Sequence, residues 1–268
     1  MKLFMSSLKV DRRFIYRGCA IAVVVMSLIG VLALKNHPVE QIVLRHNGNV
    51  TYNNIYRRPF NGIISAIELI TGPLNATRQI DTVLVISNSI TKDEIQAIIR
   101  RSQPVELVIA CENLEDDALS GIHSSERLRY LQVYSKKLTD KGVDHISDCT
   151  GLSTLVVYSD KITNESIVTV SQMKNLSGVS MCSREVNDTN IENLRSLKKL
   201  SGLCLSHTNI TDKSIDILAT FSSLIDLEIC DTDVAPRRVE ELKMSRPDLT
   251  IRYNEPPLEW PTYGWATD

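Results

Sequence analysis

The stretch that decides the fold is KLSGLCLSHTNITDKSIDILATF (residues 199–221), which aligns without a gap with GLSTLVVYSDKITNESIVTVSQM (residues 151–173). The shared pattern is L-x-x-L-x-L-x-x-x-x-I-T-D-x-S-I-x-x-L-x-x-L. A fixed period of about 24 residues indicates a repeat architecture, and we call this period the repeat length. The apolar anchors that recur at this interval, constant to within one position, are Ile80, Val105, Leu128, Leu152, Leu176, Leu200, Leu224 and Leu249.

Each unit contains two different hydrophobic periods. Leu203 and Leu205 are two residues apart, which is typical of a short strand with one buried face, whereas Ile215 and Leu218 follow at helical spacing. Each unit is therefore predicted to be a strand, a turn and a helix.

Residues that cap helices occur in register with this pattern. Thr-Asp or Thr-Asn pairs mark the predicted helix starts at Thr139, Thr163 and Thr211. Thr91 with Glu94 forms a capping box, in which each residue satisfies a backbone N–H of the other.

A unit of about 24 residues cannot bury its own apolar edge, but stacked units form a continuous core beside a parallel sheet. Seven to eight units predict one elongated α/β domain. About seven core side chains per unit, each contributing about 1.5–3 kcal/mol, oppose the ordering entropy of the chain. We expect no cofactor.

The repeated pattern resembles that of leucine-rich-repeat proteins, and the match spans about residues 80–253. The resemblance implies a right-handed solenoid with parallel strands on its concave side and helices on its convex side. Segments 41–53 and 239–253 make the chain most similar to membrane-anchored leucine-rich-repeat domain proteins of planctomycete bacteria. Lys136, Asp160 and Arg184 stand where that family has Asn, Cys or Thr, so a continuous turn ladder is not expected.

The front of the chain carries a membrane signal. Residues 18–34, GCAIAVVVMSLIGVLAL, contain no charge and follow a basic segment, residues 1–17. The sequence predicts a single-pass transmembrane anchor, with a cytoplasmic N-terminus and an exoplasmic repeat domain. Val31 and Ala33 also suit a signal-peptidase site, so a protein secreted after cleavage near Ala33 is an alternative; a buried soluble helix is another.

The remaining segments flank the repeat domain, residues 80–254. Residues 35–79 are interpreted as a linker and N-terminal cap, with a hairpin between strands at 41–45 and 50–54 around Asn47-Gly48. Residues 255–268, EPPLEWPTYGWATD, are a C-terminal tail, either packed on the last unit or exposed as a peptide motif.

Composition and motifs argue against several functions. The formal net charge is −2 over 268 residues, which is not typical of an evenly basic nucleic-acid binder. The sequence has no phosphate loop, nucleophile elbow, zinc-protease motif or C-x-x-C, and its five histidines are scattered. We expect no enzyme activity, no catalytic or metal-ligating residues and no small-molecule substrate.

Four cysteines are expected on the exposed concave side: Cys111, Cys182, Cys204 and Cys230. Neighbouring strands lie about 4.8 Å apart and a two-residue offset adds about 6.6 Å, so Cys182 and Cys204 are predicted to lie near 8 Å between Cα atoms. That distance exceeds disulfide reach. Free thiols are the first interpretation, and a three-cysteine metal site is the alternative.

The concave side is the predicted site of function. Its first four strands present an apolar, tyrosine-rich surface, the composition of a protein-binding patch. The candidate partner-binding residues are Leu84, Ile86, Ile109, Tyr130, Gln132, Tyr134, Val156 and Tyr158. The hypothesis is a membrane-anchored interaction module or envelope scaffold that binds an unknown protein. A soluble or secreted adaptor that recruits a protein substrate to an enzyme, as in ubiquitin ligases, is the alternative, and a cap, tail or second copy covering this surface is another.

Overall fold

A computed structural model of the chain describes residues 42, 43, 45, 49–54 and 78–254. The predicted basic segment 1–17, the predicted membrane anchor 18–34, the tail 255–268 and much of segment 35–79 lie outside the described residues. Where residues are described, no helix has both the length and the apolar character needed to cross a membrane. The chain divides into two compact units, residues 1–41 with 52–79 and residues 42–51 with 80–268, and the second holds the repeats.

The described strands form one sheet in which strand order follows chain order. They are β1 (Asn49–Asn54), β2 (Arg78–Ser87), β3 (Glu106–Cys111), β4 (Tyr130–Tyr134), β5 (Thr154–Tyr158), β6 (Gly178–Cys182), β7 (Gly202–Cys204), β8 (Asp226–Glu228) and β9 (Thr250–Arg252). From β2 onward each strand pairs in parallel with the next, and all Cα partners are one repeat length apart, as in Tyr134 with Tyr158. The predicted α/β repeat fold with a parallel sheet is confirmed.

Helices connect the strands in most units. They are α1 (Lys92–Ser102), α2 (Asp140–Ser147), α3 (Asn164–Val170), α4 (Asp212–Leu218) and α5 (Pro236–Ser245). Short 3₁₀ helices replace an α-helix between β3 and β4, at Asp116–Leu119 and Ile122–Ser124, and between β6 and β7, at Ile191–Ser196. Gly121 (φ 86°) and Asn190 (φ 67°) lie in these two connections in the left-handed conformation, which an α-helix cannot contain.

The predicted helix caps are confirmed. Thr91 and Glu94 form the complete capping box of α1. Thr139, Thr163 and Thr211 each accept a hydrogen bond through the side chain from the backbone N–H two residues later, at 3.1–3.3 Å. These caps fix the first residue of α2, α3 and α4.

The core consists of buried positions that recur in successive units, contributed by the inner side of the strands and by the helices. One such column lies at the middle of the strands and contains Leu131, Leu155, Val179, Leu203 and Leu227, all at most 3% exposed. At α2, the helix contributes Val143 and Ile146 to two further columns. A single unit has no such column, so the apolar burial depends on stacking.

A row of acidic and amide side chains also links successive units. Asp116, Asp140, Asn164, Asp188 and Asp212 lie one repeat length apart, and each accepts a hydrogen bond from the backbone N–H of the residue 23 positions later, at 2.8–3.1 Å. In three of these pairs the later residue is a threonine that also donates its hydroxyl to the carboxylate. We call this row the aspartate ladder.

The predicted N-terminal hairpin is wrong in its first half. Ile42, Val43 and Arg45 are helical instead of extended, whereas residues 50–54 lie in β1 as expected. Val43 is fully buried, and Arg45 donates from Nη1 to Glu94 Oε1 at 3.1 Å. The helical arrangement thus buries the valine in the core and brings the arginine to Glu94 in the first turn of α1.

Candidate functional site

The candidate site is the outer face of the sheet, defined as the strand positions that alternate with the core positions. Its first row is Thr82, Glu106, Tyr130, Thr154, Gly178, Gly202 and Asp226; its second row is Leu84, Val108, Gln132, Val156, Ser180, Cys204 and Glu228; its third row begins Ile86, Ala110, Tyr134, Tyr158 and Cys182. Because the register equals the repeat length throughout, each row runs straight across the strands.

On β3 the predicted outer face is wrong by one residue. Ile109, a candidate binding residue, is fully buried in the core, as is Cys111. The register places Val108 and Ala110 on the outer face. Both faces of β3 are apolar, so an alternation of apolar and polar residues could not show which side faces the core. The buried Pro104 lies one repeat length before Leu128 and is therefore the anchor that the spacing indicates for this unit.

The other seven candidate residues lie on the outer face and are half-buried: Leu84, Ile86, Tyr130, Gln132, Tyr134, Val156 and Tyr158. Tyr130 donates its hydroxyl to Gln132 Oε1 at 2.8 Å, which fixes these two side chains against each other. Sequence reasoning missed Val108 and Ala110, which join the apolar residues of β2 to those of β4 and β5.

The outer face changes character along the sheet. On β2–β5 it is mainly aliphatic and aromatic, whereas towards the other end it carries a polar network. There Glu228, 5% exposed, accepts hydrogen bonds from Ser206 Oγ and Arg252 Nε, both at 3.1 Å. Arg252 Nη2 also donates to Asp226 Oδ2 at 3.1 Å. The internally paired charges make this end less suited to apolar contact than β2–β5.

The five described cysteines are free, and three of the four expected on the exposed side are buried: Cys111, Cys182 and Cys230. Cys204 is half-buried. A hydrogen bond from Cys182 lowers the pKa of the Cys204 thiol to about 7 despite its burial, whereas burial raises the pKa of Cys182. The described residues contain no cluster of three or more His, Cys, Asp or Glu able to hold a metal ion, so the three-cysteine metal site finds no support there.

Charged residues of alternating sign follow the ends of β3–β6. Glu112, Lys136, Asp160 and Arg184 lie one repeat length apart and form what we call the charged rim. Lys136 Nζ lies 2.5 Å from Glu112 Oε1. Sequence reasoning noted three of these residues only as departures from the family turn, although their spacing from the strands already placed them in one row.

The charged rim extends to the later units through Asp231. Arg184 pairs with the Asp231 carboxylate and donates from Nη1 to the Asp231 carbonyl oxygen at 3.1 Å, while His207 Nδ1 lies 2.7 Å from Asp231 Oδ2. Hydrogen bonds from Arg184 and then His207 hold the pKa of Asp231 below its ordinary value. Arg184 is therefore committed to a partner two units further along the chain.

A pocket of about 330 Å³ lies where the outer face meets the charged rim. Tyr134 and Tyr158 contribute aromatic side chains, and Lys136, Asp160 and Arg184 contribute charge; Ser135, Ser159, Cys182, Ser183 and His207 complete its lining. Ser135 and Ser159 are structural, because each donates its hydroxyl to a backbone carbonyl of the preceding unit. The arrangement offers shape and charge for binding one side chain or a small group.

Comparison with known proteins gives likenesses of structure only. No protein-family model matches the chain, and no curated protein matches it in sequence. Among solved structures, internalin C2 of Listeria monocytogenes is similar at 20% identity and a TM-score of 0.42, with 72% of this chain and 92% of that protein covered. An internalin F structure from the same organism is similar at 14% identity and a TM-score of 0.42, with 63% of this chain and 52% of that protein covered. Both are leucine-rich-repeat proteins.

Proposed function

We propose that this chain is a non-enzymatic interaction module that binds a protein partner through the outer face of β2–β5. The observation that carries the proposal is the continuity of apolar side chains across four strands. Ile86, Ala110, Tyr134 and Tyr158 form an unbroken row across the four strands, and in the neighbouring row Leu84, Val108 and Val156 are interrupted by Gln132 alone. Such an aliphatic and aromatic patch beside a charged rim has the composition of a protein-binding surface.

The proposal includes membrane attachment through residues 18–34, with the repeat domain on the exoplasmic side. Its support is the uncharged run behind a basic segment. Membrane fractionation tests this attachment. An anchored chain stays in the membrane pellet after a carbonate wash, whereas a chain cleaved near Ala33 is released and has a correspondingly lower mass.

Site-specific photo-crosslinking in the native cell tests the binding surface. A photoreactive amino acid is placed at Val156 on the outer face and, in a matched control, at Met244 on α5, which is 75% exposed and apolar. We expect the Val156 position to give one discrete protein adduct that the Met244 position does not give. Adducts from Met244 alone, or no protein adduct from Val156, would contradict the proposal.

A further inference from the structure

We propose that the pocket at the ends of β4–β6 receives a cationic side chain, Arg or Lys, of the protein partner. This inference rests on the proposed function and specifies the chemistry of the partner at one point. Two aromatic side chains, one carboxylate and the ion pairs around that carboxylate support it.

Tyr134 and Tyr158 form the aromatic part of the pocket. They are direct partners in the register of β4 and β5, so their Cα atoms lie on neighbouring strands about 4.8 Å apart. Both side chains are half-buried and line the same pocket. Aromatic faces attract a guanidinium or ammonium group through the negative charge of their π-systems.

Asp160 supplies the charge. It follows Tyr158 by two residues and its side chain is exposed. Burial raises the pKa of the Tyr134 hydroxyl, the positive charge of Lys136 lowers it, and the negative charges of Asp160 and Glu112 raise it, so the field of Asp160 reaches the tyrosine. Among the described residues, none donates a hydrogen bond to the Asp160 carboxylate or forms an ion pair with it.

The cations on either side of Asp160 are already engaged. Lys136 pairs with Glu112 at 2.5 Å, and Arg184 pairs with Asp231. Leaving His207 aside, these five charged groups comprise three carboxylates and two cations, a net charge of −1. Asp160 is the carboxylate of this group that has no ion pair among the described residues, although its charge contributes to the raised pKa of Lys136.

This charge arrangement selects among ligands. An anion entering the pocket would lie against Asp160 and would have to share Lys136 or Arg184 with the carboxylate that already pairs with it. An apolar side chain would take water from the carboxylate without replacing its hydrogen bonds, which is costly. A guanidinium or ammonium group pairs with Asp160 and packs on the tyrosine rings, and the pocket volume of about 330 Å³ is at the small end of ligand pockets.

Two small probes test the inference on the full chain carrying ¹³C in its tyrosine rings. N-acetyl-arginine methylamide and N-acetyl-citrulline methylamide have nearly the same shape, but only the first is charged. We expect the arginine probe to shift the Tyr134 and Tyr158 ring resonances saturably and to bind at least about ten-fold more tightly than the citrulline probe.

The variant Asp160→Asn should weaken binding of the arginine probe about ten-fold and leave binding of the citrulline probe unchanged. Asp148→Asn is the matched control, because it removes the same charge at an exposed position at the end of α2 and should change neither. Both sites are exposed, so unchanged thermal unfolding is expected and separates binding from folding.

Equal binding of the two probes, no tyrosine shift with arginine, or an unaltered affinity in Asp160→Asn would overturn the inference. Failure of the proposed function is distinguishable. If the arginine probe does not bind while Val156 still cross-links a partner, the cationic site is wrong and the binding surface stands. If the probe binds but Val156 gives no adduct, the cationic site stands and the proposed binding surface is wrong.

Discussion

Removing one carboxylate from the aspartate ladder should destabilise the protein by an amount set by how many donors that carboxylate serves. Asp140 and Asp212 both lie in the first turn of a helix, α2 and α4 respectively. Asp140 accepts from the backbone N–H and hydroxyl of Thr163, at 2.8 and 2.9 Å, and from both the N–H and the hydroxyl of Ser166. Asp212 accepts only from the Ala235 N–H, at 2.8 Å, among the hydrogen bonds of the described residues.

The expected loss follows from burial of the donors. Ser166 is 0% exposed, so after Asp140→Ala water cannot replace the acceptor of its hydroxyl, and a buried unsatisfied donor costs about 1–3 kcal/mol, whereas its backbone N–H keeps the Thr163 carbonyl oxygen as an acceptor. Thr163 is part-exposed and loses about 1 kcal/mol for each bond. We therefore expect a loss of about 4 kcal/mol for Asp140→Ala, against about 1 kcal/mol for Asp212→Ala.

The assay is urea unfolding of the full chain, with the free energy of unfolding obtained by linear extrapolation at an unchanged slope. Asp212→Ala is the control for the favourable interaction of a carboxylate with a helix N-terminus, because both variants lose that interaction. Asp140→Asn should fall between the two, since the amide keeps one acceptor oxygen and presents N–H groups to donors. Losses for the two alanine variants that agree within about 1 kcal/mol would refute the ladder's assigned role.

Three further predictions concern the core, two glycines and one thiol. Ile109→Ala should lower the free energy of unfolding by about 3 kcal/mol and Val108→Ala by less than about 1 kcal/mol in urea unfolding. The opposite order would mean that Ile109 lies on the outer face and Val108 in the core. Gly142→Ala should lower the free energy of unfolding by about 2 kcal/mol, because an added Cβ would collide with the Leu138 side chain and lie 2.7 Å from Asp116 Oδ1. Gly202→Ala is the control: an added Cβ there has nothing within 4 Å, so the same assay should show no measurable loss. The Cys204 thiol, with its pKa lowered to about 7, gains thiolate as pH rises through 7, so its iodoacetamide alkylation followed by peptide mass spectrometry should have a midpoint near pH 7; a midpoint near the ordinary value of 9.0 would contradict this.

The outer face illustrates what periodicity can and cannot predict. Seven of the eight candidate residues lie where the repeat places them, because the anchors Ile80, Leu128 and Leu152 set which positions of β2, β4 and β5 face the core. Ile109 does not, because Val105, the anchor assigned to its unit, lies one residue after Pro104, and LVIAC (residues 107–111) has no alternation that could correct the error. The pairing of β3 with its neighbours agrees with Pro104 as the anchor of this unit.

The charged rim and the aspartate ladder show a second limit. The repeat length puts Lys136, Asp160 and Arg184 in one row, but no sequence rule states that Arg184 pairs with Asp231, two units further on, and leaves Asp160 between two engaged cations. His207 and Asp231 both adopt left-handed backbone conformations, with φ of 57° and 52°, near this pairing. Such choices depend on the local path of the chain after each strand.

The sequence by itself determined the repeat length, the order of strand and helix in most units and the helix starts, because these depend on local periodicity and on caps within a few residues. The tertiary structure alone decided the partners of the rim charges and the links of the aspartate ladder. Each of these joins positions in different units, and side chains so far apart in the chain select their partners only after stacking has brought the units to within hydrogen-bond distance.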